Sequence, residues 1–209
     1  MKEKLYIIGA GSVGGHIALN IDGYSNEFEV GGFFDDDPDK IGKQLFGYIV
    51  LGKMSEVLTL RNANVVIGIS FPNSKKKILE KINQNHSLQF PALVHDHAWI
   101  SADTKIGKGC VIYPGNSINY GCVISEFTVL NMNCALGHHT TVGKCSSFAP
   151  GVSTGGHTVI GEFVDVGIGV STIQNIHIGD NAVIGGQSMV TKNVQSNAKV
   201  VGVPAKPIR

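Results

Sequence analysis

Residues 124–171 read, in blocks of six, ISEFTV LNMNCA LGHHTT VGKCSS FAPGVS TGGHTV IGEFVD VGIGVS. Every block but one opens on a large apolar residue, the exception being Thr154. The same phase runs back through Ile118, Ile112, Ile106 and Ile100 to Val94, and forward through Thr172, Ile178 and Ile184 to Val190. An amphipathic helix repeats about every 3.6 residues and an alternating strand about every 2, so neither holds an apolar residue on a period of six for so long. Four residues after each apolar position a smaller or β-branched residue recurs, as at Cys110, Cys122, Thr128, Cys134, Thr140, Ser146, Val152 and Thr158. Glycine often follows the apolar residue, as in Ile106-Gly107, Val142-Gly143 and Ile178-Gly179.

The pattern predicts short strands joined by tight turns, with the apolar residue pointing into a narrow prism and the smaller one filling the next corner. One hexad cannot bury its apolar side chain, but stacked coils build a continuous core. Three hexads make one triangular coil, so residues eighteen apart stack at about 4.8 Å. The three cysteines spaced by twelve, Cys110, Cys122 and Cys134, share the small interior slot and turn to different sides of the prism, which argues for packing and against a metal site. Cys145 lies out of this phase and is assigned no role.

Composition narrows the function classes. The chain has 209 residues, 27 glycines and only 16% charged residues, with a formal net charge of +1. That leaves no electrostatic footprint for nucleic acid. The apolar run Leu5–Ile8 is far too short to span a bilayer, and no signal-peptide cleavage pattern follows it, so a cytoplasmic protein is expected. Four cysteines without a CxxC pair give a disulfide framework little support.

Before the repeat, residues 1–93 alternate β and α character. Lys4–Ile8 reads as a buried strand, followed by Gly9-Ala10-Gly11-Ser12-Val13-Gly14 and a helix to about Ile21. Further strands are predicted at Phe28–Phe34, Val65–Ile69 and Leu88–Leu93, with helical stretches at Ser55–Arg61 and Asn73–Gln84. Such alternation predicts a small parallel sheet with helices on its faces, a Rossmann-like half. Gly9, Gly11 and Gly14 fit GxGxxG, with Asp35 further on at the end of the second strand. Four strands provide only one mononucleotide-binding half before the β-helix begins near Val94. The reading is therefore a nucleotide-sugar rather than NAD, with the glycine turn and helix N-terminus facing its phosphates or sugar.

The hexads, together with the closing Gly202-Val203-Pro204-Ala205-Lys206, resemble the hexapeptide-repeat acyltransferases. That resemblance implies a left-handed coil, against the general preference for right-handed β crossovers. The turn Gly9-Ala10-Gly11 and the strand end Phe34-Asp35-Asp36 resemble, more narrowly, the sialic-acid and bacillosamine type nucleotide-sugar acetyltransferases. The resemblance covers nearly the whole chain. It implies an acetyl-CoA-dependent acetyltransferase acting on an amino or hydroxyl group of a nucleotide-activated sugar or sialic acid in bacterial surface-glycan biosynthesis. It further implies a homotrimer with CoA between neighbouring prisms, domains at 1–93 and 94–209, and no requirement for metal.

Residue by residue, His138 aligns with the family's catalytic base, and imidazole titrates in the range such a base needs. His139 stands where a carboxylate commonly follows the base, and is placed with it in the catalytic pair. Ser147 stands where relatives often carry a second histidine that contacts CoA. Gly156 matches a residue associated with CoA and, by register, stacks one coil along from His138. Ile168 and Gly186, again eighteen apart, fall in the column used against pantetheine and nucleotide. Gly9, Ala10, Gly11, Asp35 and Asp36 carry over as the nucleotide-sugar contacts. Ser70-Phe71-Pro72-Asn73 departs from the Gly-Asn that relatives often have there. His157 offers either a substitute polar contact or a solvent-facing side chain, and His16 either a sugar contact or a helix surface.

Two rival functions are distinguishable. A zinc hydratase of the carbonic-anhydrase kind on the same β-helix uses an His-x4-His pair, a spacing that no two histidines here have. A non-catalytic assembly or binding module would not need His138 and Gly156 in register.

Overall fold

From Ile100 to Val190, every sixth residue is the second member of a two-residue strand, beginning with Trp99–Ile100 and Lys105–Ile106 and ending with Met189–Val190. The computed structural model, which describes residues 2–82 and 84–208, stacks these strands into three parallel sheets. The register is eighteen residues throughout: Ala135 pairs with Ser117 and Ser153, Thr141 with Val123 and Val159, Ser147 with Val129 and Asp165. The result is the left-handed parallel β-helix expected of the hexads. Its interior is the predicted apolar ladder, with Ile112, Ile118, Ile124, Leu130, Phe148, Ile160, Ile178 and Ile184 all buried. Among the described residues no helix is long and apolar enough to cross a membrane.

Each corner from Gly109 to Gln187 uses one residue in the left-handed backbone region, again every six residues. Glycine or asparagine accepts that conformation readily, and Gly109, Gly115, Gly121, Asn133, Gly151, Gly169, Asn175 and Asn181 fill most of the corners. Phe127, His139, Cys145, His157, Phe163 and Gln187 take it as well, with φ between 55° and 59°. A side chain there costs roughly 1–2 kcal/mol against glycine. Cys145 is thereby explained: it is a corner residue, one place before the interior slot.

Cys110, Cys122 and Cys134 fill that slot, each with its thiol donating to a main-chain carbonyl. All four cysteines are buried and none is in a disulfide. Burial pushes the Cys134 thiol up to about 11 and raises that of Cys122, which keeps both protonated at neutral pH.

The chain divides into Met1–Leu93 and Val94–Arg209. In the first unit β1 (Glu3–Ile8), β2 (Phe28–Phe34), β3 (Gln44–Leu45), β4 (Tyr48–Gly52) and β5 (Asn64–Ile67) form one sheet in the order β3-β4-β2-β1-β5. Pairings are parallel except in the β3–β4 hairpin. Two expectations are corrected. Leu88–Leu93 does not supply the fourth parallel strand; β4 does, and among the described residues the later segment adds only the single bridge Gln89–Asn64 to this sheet, while Leu93 opens the strand Leu93–Val94 of the eight-stranded one. The first helix stops early, as α1 (Ser12–Leu19), and a separate turn α2 (Ile21–Tyr24) follows. The stretch after β4 is a 3-10 turn, Met54–Thr59, and α3 spans Pro72–Ile82 with its proline at the first helical position.

The glycine turn between β1 and α1 is a close-packed joint. Gly9 has φ +96°, and a Cβ on Gly14 would strike the Gly9 carbonyl oxygen. A Cβ on Gly68, just past β5, would lie 2.7 Å from the Gly14 Cα. The first and third glycines of the motif thus let helix and strands meet, whereas a Cβ on Gly11 would meet nothing within 4 Å.

Candidate active site

The turn holding His138 joins Ala135–Leu136 of the six-stranded sheet to Thr141–Val142 of the five-stranded one. One coil along, the turn holding Gly156 joins Ser153–Thr154 to Val159–Ile160. Main-chain bonds tie these corners together: the N–H of His139 donates to Tyr120, that of His157 to His138 and that of Asn175 to Gly156. Two columns result, Tyr120-His138-Gly156-Gln174 and Gly121-His139-His157-Asn175.

The His138 ring lies flat against Tyr120, with centroids 5.4 Å apart and planes 10° apart. On its other side is Gly156, where an added Cβ would stand 2.7 Å from His138 Nε2. Glycine at 156 is what leaves room for the imidazole. His138 Nδ1 lies 3.0 Å from His139 Nδ1, so the two nitrogens share one proton. When His138 donates, its Nε2 keeps the lone pair, the form a general base needs. His139 in turn stacks on His157, with centroids 4.8 Å apart and planes 8° apart.

The backbone beside the imidazole is pinned from inside. Thr154 and Thr172, the two exceptions in the apolar ladder, sit under this corner. The Thr154 hydroxyl accepts from the Gly137 N–H and bonds Thr140; the Thr172 hydroxyl accepts from the Gly155 N–H and bonds Thr158. Gly156 itself accepts at its carbonyl from Asn175, while its N–H makes no hydrogen bond among the described residues. An N–H with no partner among the described residues, next to an imidazole, is what an oxyanion requires.

The remaining cofactor residues are not at this corner. Ile168 and Gly186 occupy the turns between the eight- and six-stranded sheets, an adjacent edge of the prism. Ile168 is 53% exposed, an apolar side chain free to cover a ligand. Ser147 is only 3% exposed, within the strand Ser147–Phe148.

In the first unit, two adjoining clefts of about 280 and 310 Å³ open at the C-terminal ends of β1, β2 and β5. Gly9, Asp35, Ile69 and Ser74 line both, Asp36, Lys77 and Lys81 the first, and Gly11, Lys40 and Phe71 the second. The α1 N-terminus has no side-chain cap and borders the second cleft, which suits an anionic group. Ala10 is buried and its N–H donates to Asp35 Oδ2, which fixes the turn. Asp36 likewise accepts from the Met54 N–H. His16 bonds Tyr24 Oη at 2.9 Å and lines neither cleft. Lys77 and Lys81 escaped the sequence reading; their spacing of four on α3 was the available signal.

Asp35 also accepts from the Asp37 N–H and from Lys40 Nζ. Burial pushes its carboxyl up, but the Asp37 and Ala10 N–H groups and the Lys40 ammonium outweigh it and hold the carboxyl below its usual value. A depressed carboxyl stabilises the fold above its unfolded value and loses that contribution as pH falls through the folded one. Asp35→Asn should therefore lower the Tm at neutral pH, and the gap from wild type should close below about pH 4. An equal gap at both pH values would mean that charge plays no part.

Residues 4–82 match the model of a family described as the PglD N-terminal domain. No curated protein sequence matches significantly. Among solved structures, the acetyltransferase domain of PglB from Neisseria gonorrhoeae, in complex with acetyl coenzyme A, is similar at 24% identity and TM-score 0.90 over 100% of both chains. A mutant perosamine N-acetyltransferase from Caulobacter crescentus, in complex with CoA and GDP-perosamine, is similar at 22% identity and TM-score 0.89, over 99% of this chain and 97% of that one. WeeI from Acinetobacter baumannii is similar at 23% identity and TM-score 0.85, over 99% and 100%. At these identities the likeness establishes the fold, from the first strand to the last coil.

Proposed function

We propose that this chain, with a PglD-type N-terminal domain and the fold of the sugar acetyltransferases, moves an acetyl group from acetyl-CoA to the amino group of a nucleotide-activated sugar, with His138 as general base. The observation that carries the reading is the His138 Nε2 lying over Gly156, whose N–H makes no hydrogen bond among the described residues. Acetyl-CoA supplies the thioester. His138 Nε2 takes the proton that the attacking amine must lose, and the Gly156 N–H meets the charge developing on the carbonyl oxygen. As the C–S bond breaks, the proton on His138 is available to the leaving sulfur. His139 holds the His138 Nδ1 proton in place, the task a carboxylate performs in relatives.

Within one prism, Ile168 and Gly186 lie on a different edge from His138, so the cofactor column is completed by a second copy. The six-stranded face between the two edges presents Ser117, Ala135, Ser153 and Ser171, small enough for close packing. A homotrimer packed through the β-helix meets both needs. The clefts of the first unit suit the acceptor's diphosphate and sugar, with Lys77 and Lys81 as counter-charges. Biosynthesis of a bacterial surface glycan is the setting this substrate class implies.

The test combines acetyl transfer from acetyl-CoA to UDP-, GDP- and CMP-linked amino sugars with thermal-shift measurements on the same panel. Release of free CoA dependent on one of these sugars is expected, together with a trimer by light scattering. No transfer to any amino sugar, or a stable monomer at working concentration, would overturn the reading.

A further inference from the structure

His138, His139 and His157 each bring a ring nitrogen to one patch of the corner, all within 4.8 Å of one another. Two of them, the Nδ1 atoms of His138 and His139, already stand 3.0 Å apart. Zinc holds imidazole nitrogens at about 2.0–2.1 Å in a tetrahedron, whose edges are then roughly 3.3 Å. The first pair is therefore at coordinating separation, and the exposed His157 ring, stacked on His139, has to turn to aim a nitrogen at the same ion. Nothing in the coil demands imidazole at these places. The same column carries Gly121 and Asn175, which suit the left-handed corner better.

We propose that these three histidines bind a zinc-like divalent cation and that the bound ion switches the catalytic base off. Three neutral imidazoles with no carboxylate select zinc-class ions over magnesium or calcium, and water completes the tetrahedron. The ion takes the place of the proton that His138 and His139 share. With metal on Nδ1, the neutral His138 ring carries its proton on Nε2, the atom that has to accept one from the acceptor amine. No proton leaves the site; it moves across the ring. The binding half of the proposal stands on geometry alone, while the inhibitory half rests on the acetyltransferase reading.

The experiment uses the untagged full chain, stripped with a chelator, and two probes, Zn2+ by calorimetry and Co2+ by visible absorption. One ion per chain and d–d bands of nitrogen-ligated Co2+ are expected. His157→Asn keeps a residue that the corner accepts, and should weaken Zn2+ binding by at least about 10–100-fold, the loss that even an outer-shell partner causes. With each chain's own rate in chelator as the reference, zinc should slow acetyl transfer by wild type and no longer slow that of His157→Asn. Absence of Zn2+ binding by wild type overturns the site. So does unchanged binding by His157→Asn, which would place the ion elsewhere, as at His95-Asp96-His97. Zinc that depends on His157 yet leaves acetyl transfer untouched overturns the switch. Zinc bound as expected by a chain that acetylates no amino sugar supports the site and sinks the acetyltransferase reading instead.

Discussion

His138→Ala lowers kcat by about 10²–10⁴ and leaves acetyl-CoA affinity nearly unchanged, because it removes a proton acceptor and no cofactor contact. The Gly156 N–H and the threonine hydroxyls that pin its corner stay in place, so the oxyanion site survives the substitution. What is lost is the imidazole between Tyr120 and Gly156. His138→Asn fills part of that space without accepting a proton at neutral pH, and should be equally slow. Steady-state kinetics with a verified acceptor, alongside calorimetry with acetyl-CoA, check both halves. A wild-type kcat in either variant would remove His138 from the chemistry.

Gly156→Ala should cost almost as much, although alanine is no stranger to such a backbone. Its Cβ would stand 2.7 Å from Nε2 and 2.8 Å from Cε1 of His138, closer than carbon and nitrogen approach without bonding. The ring cannot retreat freely, since Tyr120 covers its far face and His139 holds Nδ1. A displacement of about 1 Å at a reacting group is enough for roughly a 10²-fold loss. Gly156→Val adds bulk where the thioester must lie, so acetyl-CoA affinity should fall as well. The clean control is the double variant. Once His138 is Ala, the methyl group at 156 has room, and it should slow the enzyme no further. Additive losses, or a Gly156→Ala enzyme with wild-type kcat, would mean that the two residues do not share a site.

The coil was legible because burial enforces it: an apolar residue must return to the interior every six residues, and Ile112, Leu130 and Ile178 do. The exceptions were legible only as exceptions. Thr154 and Thr172 break the pattern because their hydroxyls serve the turns that hold His138 and Gly156, which no periodicity expresses. Corners at Phe127, Cys145 and Gln187 show no left-handed signal, since the coil's closure imposes the conformation over local preference. In the first unit, β3 and β4 were missed because two short strands around Phe46-Gly47 show no sustained alternation. Leu88–Leu93 misled by its apolar content. The meeting of His139 with His157 was readable in principle, as a difference of eighteen.

The eighteen-residue register has a consequence for how such a chain tolerates insertions and deletions. Its corners behave like a reading frame with three settings. Deleting one hexad, for example Val142–Ser147, keeps every later apolar residue pointing inward, so the core closes as before. All later corners, however, move round by one edge. Glu162 would then lie under the His138 ring in place of Gly156, and Phe163 would face His139 in place of His157. Six-residue changes are silent to the fold and ruinous to the site, whereas a whole coil can be added or lost outside the paired turns with both preserved. Length differences between functional relatives within the coil should therefore come in steps of eighteen, unless a loop bulges out to absorb them.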